Sequence, residues 1–399
     1  MTATGAVPAG ADLPRLARDL VRVHDAVLSG GRPPSTPRIL VERSWRRVMS
    51  MGLEPGSSNG RRTPSAAECA ARRARSPLAT VIGDLRAVLT SAADAATYLM
   101  VVTDAEGVVL WREGSARVLK IADQLGFVEG ALWTERAVGT NAIGTALAEA
   151  APVELFSAEH FEQAQHPWYC TAAPIHDPRT GALLGVVDVS GPALTLHPAI
   201  GALVESAVRL AEMSLWRHHQ EWLERLRRET DHVVSAVEGP LLVVDDDGWV
   251  AHHAGMAARD RIAAPRQDKM LTVPGLGLCL PERVGERGWL VRPTSAGSGS
   301  LTARLDPDGT LEVVSESGSW RTTLTRRHVE ILTLVDAAGP TGLTARGLSE
   351  AVFGDAEHIV TVRAEVSRLR RSIGALVSTN PYRLADGVTL TRGTNPRHE

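Results

Sequence analysis

The sequence predicts a multidomain α+β protein whose parts are joined by helical linkers, and three observations carry that expectation. Two pairs of apolar runs, Tyr98 to Thr103 with Val108 to Trp111 and Tyr169 to His176 with Ala182 to Ser190, flank turns rich in Asp and Gly and stand among amphipathic helices. Leu196 to Arg228 keeps helical spacing throughout. Leu324 to Arg383 reads as three short helices and a hairpin.

In chain order, Met1 to Gly10 is expected to be disordered, and Leu13 to Leu28 and Arg38 to Met51 have helical spacing. The second of these presents Ile39, Val41, Trp45 and Val48 on a helix also lined by Arg43, Arg46 and Arg47. A basic amphipathic helix can touch DNA, but packing against the next domain is the better expectation. Glu54 to Pro64, rich in Gly, Ser, Arg and Pro, has nothing to bury and reads as a linker. Leu78 to Leu89 and Val118 to Leu125 are helical, and Gly139 to Asn141 can cap a helix reaching Glu149.

In the long helix, Val204, Val208, Ala211, Leu215, Trp222 and Leu226 repeat at coiled-coil-like spacing. Two copies pairing there would make a homodimer; the competing arrangement is one helix packed on the preceding sheet. Beyond it, Asp231 to about Val314 opens with a helix, a strand, the turn Asp245-Asp246-Asp247-Gly248 and a strand. The acidic turn lacks the spacing of a calcium-binding EF-hand loop, and a hairpin turn accounts for it.

At the C-terminal unit, Thr325 is a good N-cap, with Leu324 and Val329 placed as a hydrophobic staple, and Gly339-Pro340 stops the first helix. Thr344 caps a second helix that Gly354 ends, and Asp355 is placed to cap a third. In that third helix Ile359, Val362, Val366, Leu369 and Ile373 form one stripe that must face a core. Ala364, Ser367, Arg368 and Arg371 lie opposite, with Arg363 and Arg370 on the shoulder. Arginines pair with phosphates or fork onto guanine edges, and small residues allow close approach to a groove. From Gly318 onward eleven arginines face eight acidic residues, a net of +3 that leaves −6 for the rest of a chain whose total is −3. That sign suits a DNA-binding end on an acidic body. Asn380-Pro381 and Asp386-Gly387 mark a short hairpin or wing after the helix.

Composition narrows the rest. At 399 residues, 44% hydrophobic and 22% charged, the chain reads as a soluble globular protein of two to four domains. No stretch approaches the ~18 apolar residues of a membrane span, and a cytoplasmic location is expected. Cys69, Cys170 and Cys279 are isolated and odd in number, which argues against a disulfide framework. His160, His166, Cys170 and His176 invite a metal or haem reading, but their spacing is irregular and no CxxC or HExxH accompanies them, so no metal site or cofactor is expected. No catalytic residue is proposed, and the chain is expected not to be an enzyme.

Two strings carry family resemblances. "ERAVGTNAIGTALAE", beginning at Glu135, and "EHFEQAQHPWYCTAAPIHDPRTGALLGVVDVSG", ending at Gly191, closely resemble the GAF domain of the acetoin-operon regulator family, and "RSWRRVMSMGLEP" resembles that family's N-terminal region. Members usually continue into an ATPase that remodels sigma-54 polymerase, but this chain has no GxxxxGK[ST] loop, so ATP-driven activation does not carry over. "VRAEVSRLRRSIG", Val362 to Gly374, resembles the recognition helix of response-regulator winged helices, with Tyr382-Arg383-Leu384 like the end of the wing. "VVSAVEGPLLVVDDDGWVAHHAGMA" resembles the opening of a PAS domain.

These resemblances imply four parts: an N-terminal helical region and linker at 1–75, a GAF sensor domain at 76–217, a linker helix and PAS-like domain at 218–317, and a winged helix-turn-helix at 318–399. They imply a ligand pocket walled by Thr140, Asn141, His160, Trp168, Cys170 and Pro174 for an unknown small-molecule effector. Arg363, Ser367 and Arg368 are expected at bases or groove, and Arg370, Arg371 and Arg383 at phosphates of double-stranded DNA. The function expected is a one-component bacterial transcription regulator, active as a homodimer and with RNA polymerase as a candidate partner. The alternative is a signalling adaptor or a redox or haem sensor whose C-terminal unit contacts protein.

Overall fold

The computed structural model describes residues 5–56, 65–90, 98–267, 269–274, 276–293, 301–315, 318–385 and 387–393. They form two compact units, Met1–His219 and Gln220–Glu399. Both mix helices with sheet, and among the described residues no helix is long and apolar enough to cross a membrane.

The first unit contains α1 (Leu13–Leu28), α2 (Ile39–Ser50), α3 (Ala66–Arg75), α4 (Ile82–Leu89), β1 (Leu99–Asp104), β2 (Val109–Gly114), α5 (Ala116–Gln124), α6 (Glu135–Val138), α7 (Ala142–Glu149), β3 (Val153–Phe156), β4 (Trp168–His176) and β5 (Leu183–Pro192). Its five strands are antiparallel in the order β2-β1-β5-β4-β3. Successive strand residues point to opposite faces, and here both faces are covered. Leu99, Val101 and Val186 join Trp45, Phe127, Ile143 and Phe161 on one side, while Met100, Val102 and Val187 join Leu78, Leu85 and Val204 on the other. This is why the strands read as unbroken apolar runs.

α2 is used as packing rather than as a DNA-facing helix. Val41, Trp45 and Val48 are fully buried in the core of β1, Trp45 Nε1 donates to Glu159 O at 3.1 Å, and Arg47 bridges Glu135 and Glu149 at 2.8 Å. Residues 1–75 and 76–217 thus share one core. The expected disorder at the start is corrected in part: Ala6 is buried, its N donating to Glu154 Oε2 at 3.0 Å. Residues 1–4, and 57–64 of the expected linker, lie outside the described residues. α3, capped by Ser65, β3 and α6 had no counterpart among the elements expected from sequence.

The long helix α8 is Ile200–Ala236, starting later and ending later than its apolar spacing suggested. Its expected dimer seam is corrected. Val204, Val208 and Ala211 are buried in the first unit's core and Leu226 in the second's, because each sheet leaves an apolar face that the nearest stretch of helix must cover.

The second unit continues with β6 (Leu241–Asp245), β7 (Val250–Ala254), β8 (Leu271–Val273), β9 (Gly277–Val284) and β10 (Gly288–Pro293), a second antiparallel five-stranded sheet ordered β7-β6-β10-β9-β8. Then come β11 (Leu301–Leu305), β12 (Thr310–Ser315), β13 (Gly318–Thr323), α9 (Arg326–Ala337), α10 (Ala345–Phe353), α11 (Ile359–Ile373), β14 (Val377–Thr379), β15 (Tyr382–Leu384) and β16 (Val388–Arg392). Thr325 and Thr344 cap α9 and α10 as expected, accepting from His328 N and Gly347 N. α11 differs: its N-cap is His358 without a side-chain cap, while Asp355 accepts from Glu357 N and His358 Nδ1.

Two boundaries also differ. β14 and β15 form the hairpin around Asn380-Pro381, but β16 leaves it and pairs parallel with β11 in the sheet β13-β12-β11-β16. β11 and β12 bury Ala303, Leu305, Leu311 and Val313 in the core of α9, α10 and α11, so a border at 317/318 would cut the β12–β13 pair and divide one core.

Candidate functional site

On β4 and β5 the sheet register places chemistry in the first unit's interior. Asp188 stands opposite Val101 and Ala172, and Ser190 opposite Leu99 and Cys170, all facing the side where α2 and α7 pack. Asp188 is 1% exposed; Ser190 Oγ donates to its Oδ2 at 2.5 Å and lies 3.0 Å from Cys170 Sγ. Asp188 Oδ1 and the buried Thr103 Oγ1 have no hydrogen-bond partner among the described residues. Burial pushes the Asp188 carboxyl up to about 7. Burial, with Asp188 adding to it, raises the Cys170 thiol well above its ordinary range and so favours the protonated sulfur. A buried acceptor and hydroxyl left unpaired are costly, and a ligand carrying donors would satisfy them.

The expected pocket residues divide around this floor. Trp168, Cys170 and Pro174 alternate along β4 on the same face. Thr140 and Asn141 do other work. Thr140 Oγ1 is 2.7 Å from Ser44 Oγ in a buried network with Glu135 and Thr145, and Asn141 caps α7 by accepting from Gly144 N at 2.8 Å. Gly139, at φ +80°, admits Phe161, which a Cβ there would meet at 2.6 Å. His160 is fully buried; its Nδ1 donates to Ser157 O, its Nε2 has no partner among the described residues, and burial holds its pKa down to about 4. His166, packed edge-on against His24 at 4.6 Å, is lowered to about 4 by burial and then by its histidine neighbours. His176 lies near Glu212 instead, and among the described residues no three His, Cys, Asp or Glu side chains converge as a metal site. Asp188 was missed, although it is the one charged residue in the apolar run 183–191 and so carried a sequence signal.

In the C-terminal unit α11 is held by Val362, Val366, Leu369 and Ile373, each at most 2% exposed. Its outward face is Val360, Ala364, Ser367 and Arg368, all exposed, with Val360 79% so. Arg363 is also exposed and Arg370 half-buried. Arg368 Nη2 donates to Glu365 Oε1 at 2.5 Å, which holds the Glu365 carboxyl below its usual range, and Glu365 reaches His328 of α9 at 3.3 Å. Arg383 is half-buried on β15, its Nη1 3.4 Å from Leu384 O. The side chain of Arg371 lies outside the described residues. Val360 was missed because an exposed valine gives no charge signal.

Residues 29–212 match the model of the MimR N-terminal domain. The chain is 29% identical over 396 residues to an uncharacterized 47.3 kDa protein in the thcA 5' region of Rhodococcus erythropolis, an alignment covering 97% of this chain and 74% of that one. It is 44% identical over 135 residues to the acetoin dehydrogenase operon transcriptional activator AcoR of Bacillus subtilis, covering 34% of this chain and 22% of AcoR. It is 29% identical over 193 residues to the propane 2-monooxygenase operon transcriptional activator MimR of Mycolicibacterium goodii, covering 47% and 32%. The chain therefore spans a third or less of the two named activators. Both of those relatives are named as transcriptional activators.

Proposed function

We propose that the protein is a one-component transcription regulator in which a GAF-type domain senses a small molecule, a PAS-like sheet follows, and a winged helix binds operator DNA. The observation that carries this reading is α11: an apolar stripe anchored in a three-helix core leaves Val360, Ala364, Ser367 and Arg368 facing outward, followed directly by the β14–β15 hairpin. A helix so mounted suits the major groove, with Arg363, Ser367 and Arg368 at base edges and Arg370, Arg371 and Arg383 at phosphates. The activator names of the relatives support the same reading.

In the sensor, Trp168, Cys170 and Pro174 would line the effector site, with Asp188, Ser190 and Thr103 as its polar floor. Thr140, Asn141 and His160 would shape it from behind. A site of this kind, mostly apolar with a few convergent polar groups, suits a small organic molecule carrying a hydrogen-bond donor. A homodimer would form through the outer side of α8, where Leu210 is 45% and Met213 69% exposed. An effector would act by preferring one arrangement of that dimer.

The test is DNA binding against salt, using fragments selected from the host genome. Arg368→Ala should weaken the selected site by about 1–3 kcal/mol and reduce its preference over random sequence. Wild-type protein that shows no salt-dependent affinity for any duplex would sink the proposal.

A further inference from the structure

α9 and α11 are joined by polar groups as well as by their apolar core. Thr325 caps α9 by accepting from His328 N at 3.2 Å, which fixes the backbone from which the buried His328 imidazole reaches α11. There Glu365 Oε2 lies 3.3 Å from His328 Nε2, and the other carboxylate oxygen, Oε1, accepts from Arg368 Nη2 at 2.5 Å. Arg368 beside it, and His328 less strongly, hold the Glu365 carboxyl below its usual range, so it stands ionised between them. Side-chain exposure rises along this chain from 10% at His328 to 20% at Glu365 and 52% at Arg368, so the anchored end is inside and the guanidinium outside.

A glutamate and an arginine three apart on a helix surface contribute little by themselves and leave both long side chains free to swing. This pair differs in that its carboxylate is held from a second helix, so Arg368 leans on a fixed acceptor. An arginine already held in its bound orientation has less rotamer entropy to lose when a complex forms. Nη2 gives one N–H to Glu365, and the guanidinium keeps the donors needed to fork onto guanine O6 and N7. Ala364, one turn back on the same exposed face, is small enough to let a base edge approach. The carboxylate also opposes binding in general. On a helix seated in the major groove it puts a negative charge near the phosphates of any duplex and weakens the attraction that carries no sequence information. A group that lowers affinity for every sequence while orienting the side chain that reads one base raises selectivity.

We propose that Glu365, anchored by His328, is a positioning residue that aims Arg368 at one guanine of the operator and so sharpens base discrimination while reducing overall affinity for DNA. The inference rests on the DNA-binding reading and deepens it.

The test compares full-length wild type with Glu365→Ala, Glu365→Gln and Arg368→Ala on a genome-selected fragment, a random duplex of equal length, and copies of the fragment carrying 7-deazaguanine, which lacks the N7 acceptor, at each guanine in turn. Wild type should lose affinity at a particular guanine, and Arg368→Ala should abolish that sensitivity. Glu365→Ala should bind the random duplex more tightly, because a negative charge near the phosphates is gone. Its ratio of selected to random affinity should nevertheless fall by about two- to tenfold, the penalty for immobilising one long side chain on binding, and its sensitivity to that 7-deazaguanine should shrink. Glu365→Gln, which keeps an acceptor oxygen, should show the same gain on random DNA and keep most of the wild-type ratio. The ratio does not depend on the folded fraction, so a folding defect cannot imitate the effect. A wild-type ratio in Glu365→Ala overturns the inference, and so does a larger one, which would mean that the carboxylate masks Arg368. Equal losses in the Gln and Ala variants would show that charge rather than aim acts, and the absence of any guanine whose effect depends on Arg368 would remove the reader; either overturns it. Wild type without affinity for any duplex would instead overturn the regulator reading.

Discussion

The two five-stranded sheets share a strand order, β2-β1-β5-β4-β3 in the first unit and β7-β6-β10-β9-β8 in the second, yet they are covered very differently. Between its second and third strands the first sheet carries α5, α6 and α7, and α2 closes over the same face, so that large side chains fill that interior and polar groups are trapped within it. The second sheet crosses the equivalent interval, 255–270, with no helix among its described residues, and Arg266 and Lys269 stand on a turn instead. One topology thus makes a closed interior in one place and a helix-free connection, among the described residues, in the other. What the connection contains, rather than the order of the strands, decides which function each sheet can host.

The largest expected effect probes the depth of covering. Trp45→Ala empties a fully buried site in a many-sided core and should cost about 4–5 kcal/mol, whereas Trp289→Ala, in the smaller cluster with its indole at Asp246 Oδ1, should cost about 3 kcal/mol. Denaturant midpoints of the two variants check this, and equal losses would break the contrast. A smaller loss, about 1–3 kcal/mol, is expected for Gly374→Ala, where a positive φ and the carbonyl of Met270 leave no room for a Cβ. Stability unchanged by that substitution would show that the turn bearing Arg266 does not bear on α11.

The smallest effect is a change in pH dependence confined to the closed interior. Asp188, raised to about 7, keeps in the folded state a proton that the unfolded chain releases near pH 4, so its contribution is present at low pH and is lost as pH rises to about 7. His160 and His166, lowered to about 4, act oppositely: the unfolded chain holds their protons, and stability rises from about pH 4 to about pH 6.5. Asp188→Asn removes only the first effect. Its urea midpoint should therefore climb more steeply than wild type across that window and exceed wild type above about pH 7. Parallel curves would mean that Asp188 is ionised in the fold.

Much of this was legible because it is local. Thr325 and Thr344 announce their helices, Gly354 stops one in the left-handed conformation, and the four-residue spacing of Val362 and Val366 orients α11 whatever else surrounds it. The pocket residues were less legible. Thr140 and Asn141 are polar and sit beside a helix start, but only the placement of Ser44 and Glu135 shows that one is tied beneath α2 and the other spent on a cap.

Periodicity and capping are short-range properties, and with them the chain alone specified its longer helices, the β1–β2, β4–β5 and β6–β7 pairs and the amphipathic faces that need cover, but not α3, α6, β3 or β8 to β13. Which surface supplies that cover is a long-range matter. Val204, Val208 and Ala211 could close against a second copy or a neighbouring sheet with equal hydrophobic gain per unit area, and the fold gave them to the sheet. Likewise the parallel pairing of β16 with β11, the meeting of Asp188 with Ser190 and Cys170, and the approach of Arg266 to α11 each join residues distant in sequence or on different strands, so only the assembled backbone decides them.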